Sequence, residues 1–293
     1  MAGAATILIA GPTGAGKSAL ALALAGTRGG TVINADSMQV YRDLRVLTAR
    51  PTPAEEALTP HALFGHVDGS QAYSVGRWVE DARKAIAVAH AAGRTAIIVG
   101  GTGLYFKALT EGLAPIPPVP PPIRAHWRGE VQRIGAARAH ALLAERDAAM
   151  AARLAPGDAQ RIVRALEVLD ATGRSLAAWQ GEQRRPVVDA AKAEKLVVTA
   201  PRAVIQARCD ARFVAMVEGG ALPEVEALIA RGLAWNMPVL RALGVRPLAR
   251  HLVGEIGRAE AIRSGQMETR RYVKRQETWL RRNMTSWERH ETQ

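Results

Sequence analysis

The sequence predicts an α/β protein: a parallel-sheet core of the P-loop kind, flanked by helices, with an inserted all-helical subdomain. Three observations predict it. Short apolar runs, ATILIAG, GTVINADS and TAIIVGGTG, alternate with helical patterns, the rhythm of strands buried on both faces. Between the first run and the helix after it stands GPTGAGKS, a full G-x-x-x-x-G-K-S match. From about residue 123 to 190 the strand signal stops, and it returns at KLVVTAP.

The elements follow in order. ATILIAG reads as a strand and SALALALA as a helix starting near Lys17, since Ala and Leu are strong helix formers. GTVINADS is a second strand. In SVGRWVEDARKAIAVAHAAGR, Ser74 is the expected N-cap and Gly93 the residue past the end of an amphipathic helix. TAIIVGGTG is a third strand ending in glycines. The prolines of LAPIPPVPPPIR exclude a regular helix and suit a stiff connector. GDAQRIVRALEVLDATGRS is the clearest helix beyond it, capped by Asp158 and closed by Gly173. The remainder reads as helical and ends in the basic stretch TRRYVKRQETWLRRN. The expected organisation is a core over 1–122, a helical insertion over 123–192, and a last strand with basic helices over 193–293.

Of 293 residues, 48% are hydrophobic, enough for a sizeable core, and the net charge is +12. Such a balance suits a polyanionic partner, nucleic acid or an anionic membrane surface, or arginines that merely line solvated faces. The one cysteine, Cys209, excludes an internal disulfide and a cysteine-based zinc site; it is expected to be a small buried side chain. No run reaches the ~18 apolar residues of a membrane span, and MAGAATILIAG has no basic leader region. A cytoplasmic monomer away from membranes is expected.

Gly11, Pro12, Thr13, Gly14, Ala15 and Gly16 form the glycine loop, whose glycines let backbone N–H groups turn toward phosphate oxygens. Lys17 adds a cation and Ser18 a hydroxyl ligand for Mg²⁺. An ATPase also needs a carboxylate on a second strand, yet TAIIVGG ends in Gly100 and Gly101, and no N-K-x-D motif occurs. The loop therefore points to a di- or triphosphate and away from hydrolysis of ATP. Asp36 stands just past a strand's carboxyl end, where open α/β sheets bind ligands; it is either a site residue or the cap of a turn. Thr102, inside Gly100–Gly103, is a small hydroxyl donor at the same edge.

In order along the chain, GPTGAGKS, NADSMQVYRDLRVLTARP, PHALFGHVD, YSVGRWVEDA, IIVGGTGLYFKALTEGL, QRIVRALEVLDATG, FVAMVEGGALPEVEAL and TRRYVKRQETWLR resemble the tRNA dimethylallyltransferases. The resemblance implies transfer of a dimethylallyl group from dimethylallyl diphosphate to N6 of the adenosine 3′-adjacent to the anticodon, in tRNAs reading codons that begin with U. It implies Asp36 as the base and Thr102 as its neighbour in catalysis. Lys17, Ser18 with Mg²⁺, and Arg208 and Arg212 of ARCDARF would hold the diphosphate. Asp36, Ser37, Met38, Gln39, Thr102, Arg124, Gln160, Arg161, Ile162, Val163 and Arg164 would meet the tRNA anticodon stem-loop, with Arg161 and Arg164 on the helix face opposite Ile162, Leu166 and Leu169. The aromatic YFKAL segment would help hold the opened loop. Two departures stand out: Arg50 replaces the family's usual lysine, and Gly244-Val245 stands where Gly-Tyr is common. A P-loop small-molecule kinase would share the loop and an acceptor-binding aspartate, and a prenyltransferase acting on free AMP would share the chemistry. Neither needs a basic helical insertion. An RNA-binding protein with a vestigial loop would not need Lys17, Ser18 and Asp36 together.

Overall fold

The structure is a computed structural model describing residues 5–182 and 185–292; residues 1–4, part of the stretch read for a leader, lie outside the described residues. The chain divides into two compact units, Met1–Thr110 with Val187–Gln293, and Glu111–Pro186.

In the first unit the chain runs β1 (Thr6–Ala10), α1 (Lys17–Arg28), β2 (Gly30–Asn34), α2 (Pro53–Leu58), β3 (His61–Ala62), α3 (Val75–Ala91), β4 (Thr95–Gly100) and α4 (Gly103–Glu111). Helices α5 (Pro121–Ile134), α6 (Ala136–Arg146), α7 (Ala148–Ala151), α8 (Ala159–Thr172) and α9 (Leu176–Gln180) follow in the second unit. The chain then returns to the first unit as β5 (Glu194–Thr199), α10 (Arg202–Met216), α11 (Leu222–Ala230), α12 (Val245–Leu252), α13 (Arg258–Asn283) and β6 (Glu288–Glu291).

The six strands form one parallel sheet in the order β3-β2-β4-β1-β5-β6. Alternation along each strand sends side chains to two hydrophobic layers. Leu8, Ile33, Ile98 and Val197 join the layer holding Trp78 and Phe106. Ile7, Ile9, Val32, Ile97, Leu196 and Val198 join the layer holding Ala21 and Ala25 of α1 and Ile205 and Cys209 of α10. Covered faces explain why these strands read as unbroken apolar runs. Gly30 is needed for this packing, since a Cβ there would stand 2.5 Å from Ile97 Cδ1.

Strand β6 departs from the helical end expected of the sequence. Its residues, ERHE, are all exposed, so only backbone pairing with β5 makes it a strand, and no hydrophobic pattern marks it. Ser74 accepts from Arg77 N–H as the cap of α3. Asp158 caps α8, and Gly173, in the left-handed region, ends it. Tyr105 and Phe106, expected to hold an RNA loop, are 4% and 0% exposed. They sit on the sheet-facing side of α4, Tyr105 stacked on Trp78 at 4.2 Å and Phe106 edge-on to Trp287.

The inserted unit has its own core, with Trp127, Val131, Leu143, Ile162 and Leu166 at its centre. It runs over 111–186 rather than 123–192. The proline segment belongs to it because Val119 is buried in that core. It stops before Val187 because the N–H groups of Val187 and Val188 both donate to Leu109 O in the first unit. Among the described residues, no helix is long and apolar enough to cross a membrane.

Candidate active site

Neighbouring strands bring three loops to one edge. Ala10 at the end of β1 pairs with Gly100 at the end of β4, and Asn34 at the end of β2 pairs with Val99. The loops carrying GPTGAGKS, GGTG and ADSMQ therefore leave the carboxyl edge side by side, where open parallel sheets place ligands.

The first loop is shaped by contacts that only glycine permits. Gly14 and Gly16 lie at φ +83° and +87°. A Cβ on Gly14 would stand 2.7 Å from Cys209 Sγ, and one on Gly11 2.5 Å from Val198 O. Cys209 is buried, as expected, and its thiol faces Thr13 O at 3.5 Å. Gly16 is the N-cap of α1 and supplies no side-chain acceptor, so the first-turn N–H groups of Lys17 and Ser18 stay available to an anion. Lys17 Nζ donates to Pro12 O at 2.7 Å. Burial brings its ammonium pKa down to about 8; the Asp36 carboxylate works against that shift and the Arg212 guanidinium adds to it. Lys17, Asp36 and Arg212 thus share one electrostatic neighbourhood. Ser18 is exposed on the first turn of α1.

Asp36 caps its own turn and also faces the second glycine loop. Its Oδ1 accepts from Met38 N–H at 2.9 Å, which closes the turn. Its Oδ2 faces Gly101, 3.5 Å from where a Cβ there would stand. Buried Asn34 holds the backbone: Oδ1 accepts from Asp36 N–H at 2.8 Å, while Nδ2 donates to Asp36 O and Leu63 O. Thr102 Oγ1 accepts from Ser37 N–H at 2.9 Å and donates to Ser37 Oγ at 3.3 Å. Thr102 thus ties the second glycine loop to the aspartate turn. The hydroxyls of Tyr105 and Tyr272 are pushed well above the usual phenol range, by burial first and then by the Asp36 carboxylate.

Other expected residues take different places. Gln39 spends its amide on Thr48 O and Ala49 O, both at 2.9 Å, so it shapes its own loop. Met38 packs against the core. Arg50 donates to Tyr41 O and Arg42 O and lies against Gly65. Arg208 Nη1 donates to Thr292 Oγ1 at 3.4 Å. In the inserted unit Arg161 pairs with Asp158 at 3.1 Å and Arg164 with Glu167 at 3.6 Å, while Gln160 and Arg124 are exposed. Ile162 is 0% exposed and Val163 packs against the same core, so Ile162 has no side-chain surface to offer an RNA. Leu166 is buried beside Ile162, opposite Arg161.

Sequence reasoning passed over four residues. Gln276, 5% exposed, accepts from Thr13 N–H through Oε1 at 2.9 Å and donates to Gly101 O through Nε2 at 2.9 Å. Tyr272 lies one turn before it on α13, and Trp279 packs so closely on Gly103 that a Cβ there would stand 2.1 Å from it. Thr292, past β6, donates to Ala15 O at 3.1 Å and walls the first loop. The first three follow a helical spacing of four and three within TRRYVKRQETWLRRN, a signal overshadowed by the arginines. For Thr292 the sequence holds no signal.

Fold and site together define an α/β enzyme whose polar groups meet at the carboxyl edge of a parallel sheet, beside a glycine-rich loop. A family model described as IPP transferase matches residues 39–283, and one described as isopentenyl transferase matches residues 4–61. A tRNA dimethylallyltransferase of Azorhizobium caulinodans is 54% identical over 97% of this chain and 91% of its own. One of Methylobacterium nodulans is 57% identical over 96% and 92%. The crystal structure of a Bacillus halodurans tRNA isopentenylpyrophosphate transferase superposes with a TM-score of 0.70 at 30% identity, over 98% of this chain and 89% of that one. A eukaryotic dimethylallyltransferase acting on tRNA gives a TM-score of 0.80 at 26% identity, over 94% and 70%. The chain belongs to the tRNA dimethylallyltransferase family, and it is a prenyl transferase.

Proposed function

We propose that this enzyme moves the dimethylallyl group of dimethylallyl diphosphate to N6 of the adenosine 3′-adjacent to the anticodon of tRNAs reading codons that begin with U. The observation that carries the reading is the exit of the glycine loop, with Lys17, and of the Asp36 turn from one sheet edge, on either side of β4. A diphosphate on the first loop would present its allylic carbon toward Asp36. An exocyclic adenine amine is a poor nucleophile, because its lone pair is delocalised into the ring. Asp36 Oδ2 accepts its proton as the nitrogen–carbon bond forms and the allylic carbon–oxygen bond breaks. Lys17 and the first-turn N–H groups take the charge that builds on the departing diphosphate, and Arg212, near Lys17, adds to that field.

The donor set fits Mg²⁺. That ion favours one or two protein oxygens together with phosphates and water, and the exposed Ser18 hydroxyl stands at the first turn of α1 beside Lys17. Mg²⁺ held there would offset diphosphate charge. Exposed Arg124, Gln160 and Arg161, with half-buried Arg164, would offer a basic surface to the anticodon arm, and Ser37 and Thr102 would stand beside the base that must leave its stack.

Labelled dimethylallyl diphosphate, incubated with Mg²⁺ and bulk unmodified tRNA, should place label in tRNA without ATP. Label entering added AMP but not tRNA would make the enzyme an adenylate prenyltransferase. Stoichiometric ADP release from added ATP would make it a kinase.

A further inference from the structure

We propose that Gln276 is a positioning residue: its single amide bridges the phosphate loop and the second glycine loop and sets the gap in which donor and acceptor meet. The inference rests on the donor reading of the first loop given above. The geometry is specific. Thr13 N–H can only donate and Gly101 O can only accept, and both lie 2.9 Å from Gln276, from opposite ends of one amide. A carboxylate satisfies the first partner and repels the second. An ammonium does the reverse, and an aliphatic chain satisfies neither. The bridge is buried, with Gln276 5% exposed, and it is close-fitted, since a Cβ on Gly101 would stand 2.2 Å from Gln276 Nε2. Gly101 also faces Asp36 Oδ2, and Thr13 backs onto Cys209. One side chain from α13 therefore fixes the donor loop and the loop beside the base to a common point.

The same chemistry makes the inference testable by pH. In Gln276→Glu a neutral carboxyl reproduces the amide: its carbonyl oxygen accepts from Thr13 N–H and its hydroxyl donates to Gly101 O. Burial raises a carboxyl pKa, so the acid form becomes reachable as pH falls. The ionisable groups around the bridge are Lys17, Asp36, Tyr105, Cys209, Arg212 and Tyr272. They titrate in wild type too, so the variant is compared with wild type at each pH.

Steady-state transfer should be measured for wild type, Gln276→Met and Gln276→Glu from about pH 5.5 to 8.5, well below each melting temperature, together with tRNA binding. Gln276→Met should lose about tenfold or more in kcat/KM for the donor, mostly through KM, at every pH, with tRNA affinity unchanged. Gln276→Glu should show a similar loss at high pH and recover toward wild type as pH falls. A Gln276→Glu ratio that is flat with pH, or losses that track only the melting temperature, would overturn the bridge. Lys17→Met serves as control. If it raises donor KM and the Gln276 variants do not, the bridge fails alone; if it leaves donor KM unchanged, the donor reading fails and the bridge with it.

Discussion

At the carboxyl edge of the sheet, two polar side chains, Asn34 and Gln276, are buried and spent on backbone. Asn34, fully buried, makes three hydrogen bonds to main-chain groups, and Gln276 makes two. In the inserted unit the arginine side chains reach solvent. Arg161 pairs with Asp158 three residues before it, and Arg164 with Glu167 three residues after it. A buried, directional bond loses its whole value when one partner goes, whereas a solvent-facing pair on one helix, such as Arg161 with Asp158, contributes a fraction of a kcal/mol, about 0.3–0.5. The sheet edge is built to hold atoms in fixed places. On the function proposed above, the insert presents charge to a polyanion whose exact seat matters less.

The contrast is broken most directly at Asp36. Asp36→Asn keeps an oxygen for Met38 N–H, so the turn should survive while turnover falls about 10²–10⁴-fold and tRNA binding stays. Near-normal turnover would remove Asp36 as the base. Next comes Lys17→Met, with an expected loss of about 10²-fold in kcat/KM for the donor. Its pH signature follows from the lowered ammonium pKa of about 8. Below that value Lys17 is charged and attracts the diphosphate; above it the charge is lost. Donor affinity of the wild type should fall as pH rises through about 8, and the decline should vanish in Lys17→Met. A smaller effect is expected from Arg161→Ala with Arg164→Ala. Apparent KM for tRNA should rise and the salt slope of binding flatten by about 0.7–0.9 per lost phosphate contact, with donor KM unmoved. Arg128 remains 3.6 Å from Glu167 in that variant, so the buried carboxylate keeps a partner. An unchanged salt slope would make these arginines a solvated face only. Arg124→Ala, at a single exposed position, should give the smallest change, seen only as a slightly shallower salt slope.

Much of the sheet was legible because its strands are covered on both sides. TILIA and TAIIVG have almost no polar residue to obscure them, and glycines mark where each strand meets its loop. Helix α8 was legible through its own caps, Asp158 and Gly173. Strands β3 and β6 were not: one has two residues, and the other is exposed throughout, so pairing alone defines them. At the site, residues joined by short spacing, such as Gly11 to Ser18 or Asp36 with Ser37, could be read from local pattern. Gln276 could not, because its partners Thr13 and Gly101 lie 263 and 175 residues away, and a polar side chain on a basic helix looks solvated until its burial is known. Tyr105 and Phe106 were misread for the converse reason, since aromatics beside a glycine loop suit either stacking or core.

The strand order has a consequence for how the protein is made. Strand β1, which carries the phosphate loop, lies between β4 and β5. On the ribosome, β4 emerges before the inserted unit and β5 after it. A nascent chain can therefore seat β1 on β4 early, but its other edge stays open while the whole insert is synthesised. The insert's separate core lets that stretch fold as a unit during the wait. The open edge then closes only when Glu194–Thr199 arrives, so translation speed across the insert sets how long an unpaired strand is offered to other chains.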